Sequence, residues 1–118
     1  METVLKTESK EEQKVFNTCW EPCAIEKGMR LIGGKWTGSI VYHLKEGPIR
    51  FNELTRRLAG ASKKMIDQRL KELESNGMVK RQVLNTRPVG VTYELTPFGE
   101  SALHILEELR VWSESHDI

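Results

Sequence analysis

Long apolar runs are missing from this chain, so no segment can cross a bilayer as a helix. Its opening, Met1-Glu2-Thr3-Val4-Leu5-Lys6, has neither the basic start nor the apolar core of a secretory signal. A cytoplasmic location without a membrane partner is the expectation. Cysteine is scarce: Cys19 and Cys23 are the only two. In the cytoplasm both are expected as reduced thiols. One Cys-x3-Cys with no second close pair is a loose metal motif, even with His43, His104 or His116 as a third ligand. No metal site is therefore assigned. The three histidines stand in unrelated helical contexts, and neither a Gly-rich phosphate loop nor a nucleophile elbow occurs. The reading is of a chain without catalytic residues and without a cofactor. There is also no internal repeat and no low-complexity segment.

What is present is a segregated charge. The 118 residues carry a formal net charge of only +1. Residues 1–44 balance six Lys/Arg against six Asp/Glu, whereas residues 45–81 hold ten basic and five acidic residues. Residues 94–118 hold Arg110 against six acids. The basic stretch is where a phosphate-binding surface would need it. A length of this size supports one domain with a modest core.

Residues 1–18 are polar without a sustained apolar period and are read as a flexible arm, with a helical turn around Glu11–Phe16. Residues 19–118 form the domain. Pro22 precedes a helix over Ala24–Ile32, with Ile25, Met29 and Ile32 on one stripe and Gly33-Gly34 as its end. Trp36, Ile40 and Leu44 mark a second helix, Lys35–Lys45, stopped by Gly47-Pro48. Ile49-Arg50 is at most a very short strand, and Asn52–Leu58 a third helix. After the turn at Gly60, Ser62 is placed to cap a fourth helix running to Glu74, with Ile66, Leu70 and Leu73 as its apolar stripe. Lys64, Gln68, Lys71 and Ser75 fall on the opposite side. Asn76-Gly77 ends this helix. Met78–Leu84 alternates as a half-buried strand, and Val91, Tyr93 and Leu95 alternate on the return. Thr96 caps a last helix with Pro97 at its first position. Ala102, Ile105, Leu109 and Trp112 form the main stripe of that helix.

Helix, turn, amphipathic helix and basic hairpin follow in the order of a winged helix-turn-helix. The fold class is thus mainly α with a small antiparallel β-wing. The candidate reading helix offers Ser62, Lys63, Lys64, Asp67 and Gln68 from its N-terminal half. Lysine can neutralise phosphate or reach guanine, and glutamine can pair with an adenine edge. Asp67 can accept from cytosine or tether a neighbouring lysine. Arg69 sits toward the buried flank, where a phosphate contact and a structural role are equally open. The wing tip adds Asn85, Thr86 and Arg87, with Arg87 placed for a minor groove. The implied partner is double-stranded DNA. Two competing classes are a winged-helix module that binds protein and not DNA, and a small thiol enzyme.

Cys23-Ala24-Ile25-Glu26, Leu31-Ile32-Gly33-Gly34-Lys35-Trp36-Thr37, Arg50-Phe51-Asn52-Glu53-Leu54, Ser62 to Leu70 and Tyr93-Glu94-Leu95-Thr96-Pro97-Phe98-Gly99 resemble the HxlR-type regulators, a branch near the MarR family. The resemblance covers about residues 20–114. It implies a homodimeric, non-enzymatic transcription factor. Asp67 stands where many members carry a hydroxyl residue, and Arg87-Pro88-Val89-Gly90 replaces the commoner paired prolines. A dimer also suits the physics, because two reading helices on a two-fold axis cover half-sites about one turn (~34 Å) apart in a pseudo-palindromic operator. The N-terminal and C-terminal helices are the candidate interface. Cys23, at the predicted start of a helix, is where helix N–H groups favour a thiolate. The resemblance places it where several members sense quinones, aldehydes or hypochlorite-type stress, with Cys19 as a disulfide candidate. A small electrophile or oxidant is the expected signal; a constitutive regulator without thiol sensing is the alternative.

Overall fold

The computed structural model describes residues 23–87 and 89–118. The expected arm at 1–18, its turn at 11–16, Cys19 and Pro88 lie outside the described residues. The chain divides into two units, Met1–Arg30 and Leu31–Ile118. The first contributes most of helix α1, Ala24–Ile32, which has the predicted limits and buries none of its residues. Ile25 is 74% and Met29 53% exposed.

In the second unit α2 (Thr37–His43) runs into a 3-10 turn at Leu44–Glu46, followed by β1 (Ile49–Arg50), α3 (Phe51–Arg57) and α4 (Lys63–Ser75). Then come β2 (Val79–Leu84), β3 (Gly90–Leu95), α5 (Pro97–Glu100) and α6 (Leu103–Ser115). The three strands form one antiparallel sheet in the order β1-β3-β2. Ile49 faces Tyr93 across one ladder, and Val79 faces Leu95 across the other. The short Ile49-Arg50 segment therefore completes a third strand beside the expected ribbon.

The core is where the apolar periods of α2, α3 and α4 converge. Ile40, Leu54, Ile66 and Leu70 are wholly buried, with Leu44 and Leu73 at 1%. Burying a side chain of this size contributes roughly 1.5–3 kcal/mol. The wing contributes Val79 and Tyr93, and α6 contributes Leu106. Phe51 packs against Tyr93, with ring centroids 6.5 Å apart.

Several helix limits shift by one or two residues from the pattern reading, and two of the differences have a physical cause. The second helix starts at Thr37 and not Lys35, because Trp36 adopts φ 71° and ψ −12°. The Thr37 N–H donates to the Gly34 carbonyl at 3.0 Å, closing a tight turn whose third residue is Trp36. That backbone is the one a type II turn demands, usually met by glycine or asparagine. For a residue with a Cβ it costs about 1–2 kcal/mol. The last helix is also two helices. It breaks at Ser101-Ala102, so Ala102 and Leu106 turn inward. Ile105, Leu109 and Trp112 of the predicted stripe stay 49%, 52% and 54% exposed.

Candidate nucleic-acid interface

The reading helix is defined at both ends by its own sequence. Ser62 is extended, and its hydroxyl accepts the Met65 N–H at 3.0 Å. This pairs one of the N–H groups that every helix start leaves open. At the other end Gly77 takes φ 78°. The Gly77 N–H donates to Glu74 O at 3.0 Å and the Met78 N–H to Leu73 O at 2.9 Å, a Schellman closure that glycine permits. Thr96 then ties the exit of α4 to the start of α5. Its hydroxyl donates to Gly77 O at 2.6 Å and accepts the Gly99 N–H at 3.1 Å.

Between those ends, Ile66, Leu70 and Leu73 are buried while Ser62, Lys63, Lys64 and Gln68 are exposed. The side chains expected to read DNA are thus brought to one half of α4. Asp67 is half-buried and pairs with Lys71 at 3.0 Å, the tether envisaged for it. Gln68 only grazes Glu72 at 3.5 Å. Arg69 points the other way: its Nε donates to Lys35 O at 2.9 Å, its Nη1 to Glu72 at 3.0 Å, and only 19% of its side chain is exposed. The guanidinium is engaged with the scaffold.

The basic excess of residues 45–81 is partly answered internally. Glu53 accepts from both Arg57 and Arg56, which hold its carboxyl below the usual range. Lys80 pairs across the wing with Glu94 at 3.2 Å. Among the described residues, Lys63, Lys64, Arg50, Arg81 and Arg87 form no ion pair. Asn85, Thr86 and Arg87 are exposed at the wing tip. Arg50 and Arg81 were not singled out from sequence. Arg50 pairs in register with Thr92, and its guanidinium lies against Gly90, the first strand residue after the wing-tip loop. Its position directly before a helix in a basic segment was the available signal.

Residues 31–117 match the HxlR-like helix-turn-helix family. The chain belongs to the HxlR-like family. Among its relatives is the HTH-type transcriptional regulator YodB of Bacillus subtilis, 41% identical over 90 residues, or 76% of this chain and 80% of YodB. Among solved structures, the redox regulator HypR in its oxidized form is 39% identical with a TM-score of 0.75, over 79% of this chain and 96% of that one. Quinone-bound YodB from B. subtilis is 38% identical with a TM-score of 0.67, over 77% and 94%. This HxlR-type chain is accordingly a transcriptional regulator with a winged helix-turn-helix, a non-enzymatic class.

In this HxlR-type regulator Cys23 sits directly ahead of α1, and its carbonyl accepts the Lys27 N–H at 2.9 Å. The reduced thiol expected of a cytoplasmic protein is not what the structure holds: Cys23 is disulfide-bonded. The described residues contain no group of three metal-binding side chains. His43 ends α2, where burial first, and then the charges of Arg57 and Lys45, lower its pKa. Those cations oppose a metal ion there. No helix among the described residues is long and apolar enough to cross a membrane.

Proposed function

We propose that this HxlR-type regulator binds duplex DNA as a homodimer, with α4 in the major groove and Arg87 of the wing reaching a minor groove. One observation carries this reading. Helix α4 buries Ile66, Leu70 and Leu73 completely or nearly so and turns Ser62, Lys63, Lys64 and Gln68 outward from its positive end. A homodimer is supported by the apolar side chains that α6 leaves uncovered, Ile105, Leu109, Val111 and Trp112. A cytoplasmic protein acting on a pseudo-palindromic operator fits these features. Selection of duplexes from a randomised pool, followed by titration over a range of salt, tests it. Lys64→Ala and Gln68→Ala are expected to reduce sequence discrimination by about 1–3 kcal/mol each. Arg87→Ala is expected to weaken all duplexes alike and to lower the salt slope. Equal operator affinity for wild type and all three variants rejects the placement of helix and wing, and a wild type that selects no duplex points instead to a protein-binding winged helix.

A second element of the reading concerns the signal. Cys23 directly ahead of α1, the redox regulation named for HypR and the quinone bound by YodB support control through this sulfur, with Cys19 or a partner copy as its disulfide mate. Diamide or methylglyoxal should change DNA binding by the reduced wild type and leave Cys23→Ser unaffected. A wild type and variant that respond alike would rule out control through Cys23, and no response in either would identify a constitutive regulator.

A further inference from the structure

Helix α4 is anchored by two kinds of force. The stripe of Ile66, Leu70 and Leu73 holds it to the core through apolar contact, which has no preferred direction. Such packing tolerates small rotations about the helix axis. The second anchor is directional. Beyond the Thr96 bond at the helix exit, it is the strained turn Gly34–Thr37, whose Lys35 carbonyl accepts from Arg69 Nε at 2.9 Å. The same turn presents the Trp36 indole to the segment that leads into α4. A Cβ built at Gly60 would lie 3.0 Å from Trp36 Cη2 and 3.3 Å from Cζ2, so the ring lies flush against that glycine. One turn therefore grips α4 from its side, through Arg69, and the approach to α4, through Gly60.

We infer that the Gly34–Thr37 turn sets the rotation of α4, and that Arg69 and Trp36 are positioning residues for base reading which act through Lys64 and Gln68. This rests on the DNA-reading role proposed above. The leverage follows from helix dimensions. Side-chain tips lie about 5–6 Å from the axis, so a rotation of roughly 20° moves the Gln68 amide by about 2 Å. A hydrogen bond to a base edge tolerates a few tenths of an ångström. Arg69 directly follows Gln68 in the chain, so the fixed guanidinium and the reading amide are on adjacent residues. The left-handed Trp36 backbone is the cost of aiming the Lys35 carbonyl at that guanidinium.

The test uses the full-length protein and the duplex that the wild type itself selects. Arg69→Met and Arg69→Lys are compared with wild type, at a temperature where all three are folded, for the affinity ratio of selected over random duplex and for salt dependence. Both variants are expected to lose roughly tenfold or more of the ratio, with the salt slope unchanged. Lysine keeps the charge but cannot hold Lys35 O and Glu72 together through a planar fork. If instead Arg69→Met lowers the slope by about one phosphate contact and Arg69→Lys restores it, Arg69 touches DNA and the inference is overturned. A ratio left intact in both also overturns it. Should the Arg69 variants not fold, Gly60→Ala decides: displacement of the indole must lower the ratio, and an unchanged ratio sinks the role. A wild type that selects no duplex refutes the DNA-reading role itself, separately from any effect of Arg69.

Discussion

Ser62 occupies a position where stability and DNA binding can be driven in opposite directions. Its oxygen accepts the Met65 N–H at 3.0 Å, and its proton remains to be given to a phosphate. Ser62→Ala removes the cap and, with it, the donor proposed for a phosphate. Loss of the cap should cost about 1 kcal/mol, and the melting temperature should fall by roughly 4 °C for a domain of this size. Ser62→Asp behaves differently. A carboxylate caps as well as serine, and its charge at the positive helix end adds about 0.3–1 kcal/mol. The melting temperature should return to the wild-type value or exceed it. Binding should collapse, because a carboxylate about 4 Å from a phosphate costs about 1 kcal/mol in a water-like dielectric and about 4 kcal/mol at an effective value near 20. That range corresponds to about fivefold to about a thousandfold in affinity per half-site. Thermal melts followed by circular dichroism, with fluorescence anisotropy on the selected duplex, separate the two effects. A Ser62→Asp protein that melts like wild type and binds the duplex equally well would falsify the placement of the α4 N-terminus against the backbone of DNA.

Further expectations concern the scaffold. Leu70→Ala opens a cavity at a wholly buried site and should destabilise the fold by about 2–5 kcal/mol, read as a shifted urea midpoint with little change in slope. Trp112→Asp, on the exposed face of α6, should shift sedimentation from dimer to monomer and remove the concentration dependence of the melting temperature; a dimer that persists places the interface elsewhere. Arg110 and Tyr42, both bonded to the Glu107 carboxylate, lower its pKa from the ordinary 4.5 to about 2. Its contribution is therefore complete above pH 4.5 and lost as pH falls toward 2. Tyr42→Phe should raise the midpoint of acid unfolding seen by circular dichroism, and an unchanged midpoint would mean that the bond contributes nothing.

Local chemistry was the part of this molecule legible in its residues. The Ser62 cap, the Ile66-Leu70-Leu73 stripe and the Gly77 exit each depend on neighbours within one or two turns, and all three stand in the structure as read. The start of α2 was misplaced because Trp36, Ile40 and Leu44 keep helical spacing, and spacing carries no sign of a left-handed backbone at Trp36. The break before α6 was hidden for a related reason: Ser101 and Ala102 are compatible with an unbroken helix, and only packing reveals the turn. Arg69 was left between two roles because its carbonyl partner lies 34 residues away. The bond from Tyr42 to Glu107 spans 65 residues and has no trace in either segment. Lys63 and Lys64 at the proposed DNA surface were easy to name, since exposed lysines at a capped helix start are visible in the sequence itself.

The Thr96 hydroxyl, shared between Gly77 O and the Gly99 N–H, makes the exit of α4 and the root of the C-terminal helices a single joint. In the proposed dimer this joint ties the helix assigned to base reading to the root of the helices offered to a second copy. Joined in pairs, such protomers would work as callipers with a locked hinge, accepting half-sites at one separation and rejecting an operator stretched by a few base pairs even when every contacted base is kept.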